Sequence, residues 1–210
     1  MSKGIVRKVI IGSMLSALCA ASASANLITN GSFEDKTRDA IGSGGGWKYY
    51  SSDNVAGWGG SNIELWGTLG IQSYHGDYHA ELNAHGGDSD PWSISQTFAT
   101  TAGQTYDLFF AYSARLGSAI GSDEAFNVQV DGLLDFDVTD HVVGDWSTRS
   151  ISFVADDDFA TLSFSSVDQH RWTYGNFLDD IRVTAVPEPG SLALLALGLV
   201  GLGAARRKAK

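Results

Sequence analysis

Thr105-Tyr-Asp-Leu-Phe-Phe-Ala-Tyr112 decides the fold. Successive side chains of an extended chain point to opposite sides, so Tyr106, Leu108, Phe110 and Tyr112 share one face. The same period of two runs through Phe126, Val128 and Val130, through Ile151 and Phe153, and through Leu162 and Phe164. Near the end, Phe177, Ile181 and Val183 are read as one face of a last strand. Further strands are predicted at Ile63–Trp66, Tyr78–Asn83 and Trp92–Ala99. Turn signals separate them: Gly59-Gly60, Gly86-Gly87, Ala102-Gly103, Asp131-Gly132 and Asp156-Asp157-Asp158. Ile41–Gly46 is Gly/Ser-rich and reads as a loop. Many short strands with such punctuation, and no apolar period of 3.6, predict an all-β antiparallel β-sandwich.

Composition agrees. Of 210 residues, 25 are Gly, and all ten Phe, seven Tyr and six Trp fall between Asn26 and Ala185. Disordered chains are poor in aromatics, so this stretch is an ordered domain. It holds seven Lys/Arg against 23 Asp/Glu, a formal charge of −16 where the whole chain carries −10. That balance argues against a nucleic-acid binder, which needs basic residues to neutralise phosphates. One cysteine, Cys19, rules out an internal disulfide framework and a Cys-rich zinc site.

The two ends read as addresses. Lys3, Arg7 and Lys8 precede an apolar stretch from Val9 to Ala20, and Ala23-Ser24-Ala25 fits a signal-peptidase site. Residues 1–25 are therefore expected to be a helical signal peptide for the Sec translocon, taking Cys19 with them. Residues 186–210 hold Pro187-Glu188-Pro189, an uncharged Leu/Ala/Gly stretch from Gly190 to Ala205, and a basic end at Arg206-Arg207-Lys208. Sixteen helical residues span about 24 Å, just short of the ~30 Å hydrocarbon core. The basic end would stay cytoplasmic and the domain outside. This stretch resembles the PEP-CTERM sorting signal in its three parts and their order. The resemblance implies a Gram-negative source and an exosortase partner. It also implies a transient inner-membrane anchor through the C-terminal hydrophobic helix, then display at the cell surface or in a biofilm matrix. An ordinary retained anchor is the alternative.

The domain between, residues 26–185, also resembles a family. Asn26-Leu-Ile-Thr-Asn-Gly-Ser-Phe-Glu34, Gly76-Asp-Tyr-His-Ala-Glu-Leu-Asn83, Ile94–Phe98, Gly103–Phe110 and Phe177-Leu-Asp-Asp-Ile-Arg-Val183 follow the order of carbohydrate-binding jelly rolls. The group is the galactose-binding-like one, including DUF642-type wall proteins. The resemblance implies two antiparallel sheets with the opening and closing strands adjacent. It also implies a structural Ca²⁺ joining Glu34 to Asp179 or Asp180. Ca²⁺ takes six to eight hard oxygen ligands. The other reading makes both aspartates rim residues, paired with Arg182 or with backbone N–H groups.

Sugars bind flat aromatic platforms flanked by a few fixed polar groups. Trp47, Tyr49, Tyr50, Trp58 and Trp66 crowd the first third, and Glu64, Glu81, Asn83 and Arg115 can supply hydrogen bonds. Trp58, Trp66, Glu64, Glu81, Asn83 and Arg115 are the candidate ligand contacts. The competing reading places such aromatics in the core and makes Glu81–Arg115 a structural ion pair. His75 and His79 are four apart, a spacing that converges on a helix but not on a strand, so they read as polar histidines. No nucleophile elbow, zinc-protease motif, P-loop or dinucleotide glycine pattern occurs. The reading is a non-catalytic exported protein binding polysaccharide. The alternatives are a structural or adhesive surface protein and, behind it, a glycan hydrolase built on Glu64 and Glu81.

Overall fold

In a computed structural model, residues 24–36, 42–43, 46–67, 71–82, 92–115, 125–167, 175–187 and 198 can be described. Apart from residues 24–25 and Gly198, which is helical, the predicted terminal helices lie outside these residues. Among the described residues no helix is long and apolar enough to cross a membrane. Residues 24–186 form one compact unit.

That unit is an antiparallel sandwich of two sheets. One sheet has seven strands. They are β1 (Gly42–Ser43), β2 (Trp47–Tyr50), β4 (Ile63–Trp66), β5 (His79–Glu81), β12 (Asn176–Ala185), β7 (Thr105–Ala114) and β10 (Ser147–Val154), in that spatial order. The other has five: β3 (Gly59–Gly60), β6 (Ser93–Ala99), β11 (Phe159–Ser166), β8 (Phe126–Val130) and β9 (Leu134–Val138). A short 3₁₀ turn covers Ser52–Asn54.

The core lies between the sheets. Tyr106, Leu108, Phe110 and Tyr112 of β7 meet Phe126, Val128 and Val130 of β8 and Leu162 and Phe164 of β11. Phe110 packs edge-on to Phe126 and Phe164, with centroids 6.3 and 5.4 Å away. Ile63 and Leu65, Ala80 and Leu82, and Leu178, Ile181 and Val183 complete the wall on the seven-stranded side. The predicted alternation of β7, β8 and β11 is thus the alternation of the core.

Gly59-Gly60, expected as a turn, pairs with β6 as β3, and Gly42–Ser43, within the expected loop, pairs with β2 as β1. Two further expectations need correction. Phe177 does not share a face with Ile181 and Val183. Leu178 opposes Tyr112 and Val183 opposes Leu108, but the register slips between Asp179 and Arg182, and Asp180 sits at φ +47°. This bulge adds one residue and reverses the alternation. Phe177 and Asp179 therefore face away from the core, while Ile181 and Val183 face into it. The opening segment is not a ladder strand either. It turns at Asn30 (φ +52°) and Phe33 (φ +58°). It is laced to β12 by bonds from Leu27 N to Val183 O (2.8 Å) and from Ile181 N to Gly31 O (2.9 Å). A Cβ on Gly31 would lie 1.9 Å from the Ile181 carbonyl oxygen, so only glycine permits this approach. The opening and closing segments are adjacent, as the jelly-roll resemblance implied.

Candidate functional site

Along β4, β5 and the start of β12, the face of the seven-stranded sheet turned away from the core is also out of water, but it is built differently. In register across it stand Tyr49, Glu64, Glu81 and Phe177, and beside them Trp47, Trp66 and His79. Glu64, Trp66, His79, Glu81, Phe177 and Asp179 are all buried, whereas Trp47 and Tyr49 are half-buried and stack at 6.1 Å. An ordinary sandwich exposes polar side chains on its outward faces. Here carboxylates and aromatics are held dry together.

Glu64 and Glu81 stand directly opposite each other across β4 and β5, and both are buried. Burial, and then the charge of Glu64, push Glu81 well above the ordinary carboxylate range. Arg115 and the Gly175 N–H pull it partly back. Arg115 Nη1 donates to both Glu81 oxygens at 3.2 and 3.3 Å, and Gly175 N donates to Oε1 at 2.7 Å. The guanidinium also lies 4.5 Å from the Trp66 ring centre. The predicted Glu81–Arg115 pair thus exists, with Trp66 as its lid.

Two of the carboxylates proposed for calcium converge on one turn, residues 73–78. Glu34 Oε1 accepts Asp77 N at 2.9 Å and Tyr78 N at 2.8 Å. Asp179 Oδ2 accepts His75 N at 2.8 Å and its Oδ1 accepts Asp180 N at 2.6 Å. Burial pushes Asp179 up to about 7, against the pull of the His75, Asp180 and Tyr74 N–H groups. Three of the four carboxylate oxygens thus accept backbone N–H groups of this turn and of the bulge. Asp180 points elsewhere, pairing with Arg182 at 3.0 Å. Among the described residues there is no group of three or more His, Cys, Asp and Glu placed for a metal. His75 is exposed, while His79 is buried between Phe177 (4.6 Å) and Trp146 (5.5 Å). Burial lowers His79 to about 4, so it is neutral at pH 7.

Of the predicted ligand contacts, the fold brings together Trp66, Glu64, Glu81 and Arg115. Trp58 belongs elsewhere. It is 4% exposed, stacks on Phe33 at 5.3 Å and donates Nε1 to Asn30 O, so it is a core residue and not a platform. Asn83, and the sorting residues Glu188, Pro189, Arg206 and Arg207, lie outside the described residues; Pro187 is the last residue described before them. The face also holds residues that sequence reasoning passed over. Phe109, Tyr74 and Trp146 cluster at its far side, with Arg182 over the Phe109 ring at 4.2 Å. The signal for Phe109 was present: it alternates with the core residues of β7 and so must face outward.

Fold and site together define an all-β sandwich module whose larger sheet turns a polar, aromatic-floored face away from the core. The chain belongs to the family described as "Protein of unknown function (DUF642)", which matches residues 26–184. Residues 185–208 match the PEP-CTERM protein-sorting motif, which marks an exported protein of a Gram-negative bacterium, processed at the membrane. Halomucin of Haloquadratum walsbyi is 26% identical over 178 residues, and the match covers 78% of this chain but only 2% of that protein. Among solved structures, an arabinose-bound α-L-arabinofuranosidase, MgGH51, shares the fold at TM-score 0.52 and 10% identity, over 77% of this chain and 26% of its own. Carbohydrate-binding jelly rolls are also neighbours. A CBM4 structure matches at TM-score 0.44 and 18% identity, over 76% of this chain and 99% of its own. The CBM22-1 xylan-binding domain from Paenibacillus barcinonensis Xyn10C matches at 0.45 and 14%, over 81% and 100%.

Proposed function

We propose that this protein is a non-catalytic, exosortase-sorted module that binds polysaccharide at the cell surface or in the extracellular matrix. The contact is the face of the seven-stranded sheet at its β2–β4 side. One observation carries the reading. Glu64 and Glu81 are kept dry beside the half-buried Trp47–Tyr49 stack, and the half-buried Arg115 pairs with Glu81. A buried ionic array is seldom the most stable filling of such a space. Retaining it beside accessible rings matches what sugar recognition needs: flat apolar surface for the C–H face and fixed donors and acceptors for hydroxyls. The sorting motif supports the location.

The test is affinity electrophoresis of the secreted protein through gels holding xylan, β-1,4-galactan or the producing organism's own exopolysaccharide. Retardation in at least one gel is expected, with Trp47→Ala/Tyr49→Ala abolishing most of it. Native mobility in every gel would defeat the reading.

A further inference from the structure

We infer that Tyr74 is a second sugar platform on the same face, presented by a turn clasped with carboxylates. Residues 72–78 are tethered almost position by position. The Gln72 carbonyl accepts Trp146 Nε1 at 2.8 Å, and Ser73 Oγ bonds His79 Nδ1 at 3.0 Å. His75 N is held by Asp179, and Asp77 N and Tyr78 N by Glu34. Gly76 sits at φ +74°, and a Cβ there would meet Glu34 Oε1 at 2.4 Å, so the clasp closes over a glycine.

So many restraints hold a turn that leaves the Tyr74 ring in water. Tyr74 is 44% exposed. It stands edge-on to Trp146 at 6.1 Å and tilted to Phe109 at 6.4 Å, so the ring has a fixed orientation. An aromatic that serves packing alone buries itself; one held rigid and open is preorganised for a partner, because its ordering cost is met before binding. The partner's chemistry follows from the surroundings. A pyranose offers a C–H face to the ring and hydroxyls to its rim. The rim here has the Arg182 guanidinium, 45% exposed, and the exposed His75.

Continuity with the first platform carries the argument further. Ring contacts run unbroken from Trp66 to Phe177, His79, Trp146 and Tyr74, and end at Phe109. Trp47 stands opposite Trp66 in register at the other end. One sheet face thus carries accessible rings at both ends of a buried aromatic ribbon, an arrangement for a chain of sugars rather than a single one. The inference rests on the reading of this face as sugar-binding, but it has its own test.

The experiment uses the full chain and its Tyr74→Ala, Tyr74→Phe and Trp47→Ala/Tyr49→Ala variants, run in gels holding xylan, β-1,4-galactan or the organism's exopolysaccharide. Amide exchange at Asp77 and Tyr78 reports whether the clasp is intact. With exchange unchanged, Tyr74→Ala is expected to weaken retention about tenfold, and Tyr74→Phe to keep it. Native-like retention of Tyr74→Ala, with Trp47→Ala/Tyr49→Ala lost, would overturn the second platform and leave the first standing. Equal weakening in the Ala and Phe variants would also overturn it, because the ring would not be the contact. No retention of the native chain in any gel would overturn both.

Discussion

Along β4, β5 and the start of β12 the two faces of the seven-stranded sheet are both dry, yet they are dry for different reasons. The inner face is Leu65, Ala80, Leu108, Phe110, Leu178 and Val183, packed against the other sheet. The outer face is Glu64, Glu81, His79, Asp179, Trp66 and Phe177. The inner face loses nothing by being buried. On the outer face each buried carboxyl must be met by a donor, a cation or a proton. What differs is not burial but dependence on pairing, and that difference should appear as two kinds of response to mutation and to pH.

The largest effect should come from the inner face. Phe110→Ala, or Phe164→Ala in the sheet packed against it, opens a void in a site of zero exposure and should cost about 3–5 kcal/mol by denaturant unfolding. The loss should be the same at every pH from 4 to 8. A pH-dependent loss would blur the contrast between the faces.

Next is the outer acid pair. Arg115→Met removes the cation that faces Glu81, so Glu81 must lean further on its proton. We expect about 1–3 kcal/mol of destabilisation, larger at pH 8 than at pH 5. Glu81→Gln, which sets an uncharged amide opposite Glu64, should cost less than Arg115→Met at pH 8. The reverse order would mean that Glu81 is ionised in the fold.

The pH profile of the native protein sharpens the same contrast. Asp179 and Glu81 have raised folded pKa values, so their contribution is complete below the ordinary carboxylate range. It is lost as pH rises, for Asp179 through about 7. His79 works the other way. Its folded value is lowered to about 4, so its contribution is complete above 6.5 and lost as pH falls through 4. Asp179→Asn should therefore compare worst with the native protein in acid and better as pH rises past 7. A constant difference across that range would place the Asp179 carboxylate in water.

The smallest effect belongs to the clasp. Glu34→Gln weakens bonds to Asp77 N and Tyr78 N at an exposed carboxylate and should cost about 1 kcal/mol. Faster amide exchange at those two positions, with the inner-face amides unchanged, is the expected signature. Uniform acceleration would mean that the turn and the core open together.

The inner face was legible in the sequence because it is repetitive. Tyr106, Leu108, Phe110 and Tyr112 alternate without interruption, and hydrophobic burial needs nothing more specific. The closing strand misled at one point. A bulge at Asp179–Asp180 adds a residue, and a period-2 reading has no means of counting it. The opening segment misled because its contacts are to β12, some 150 residues away, while its own backbone turns. The outer face was half legible. Glu81 and Arg115 stood out as charges among strand residues. Trp58 looked the same as Trp66 by composition, and only three-dimensional packing sends one to the core and the other to the outer face. Tyr74 and Trp146 lie in turns, where no periodicity marks them.

The most direct test of the outer face as a binding surface is chemical-shift mapping of the secreted protein with an oligosaccharide that its retaining gel identifies. Shifts should concentrate on the Trp47, Tyr49 and Arg115 signals and on the Trp66 indole, leaving the outward residues of the five-stranded sheet, Thr97, Gln129 and Thr161, unmoved. Shifts centred on those three residues, with the Trp66 indole still, would contradict the account.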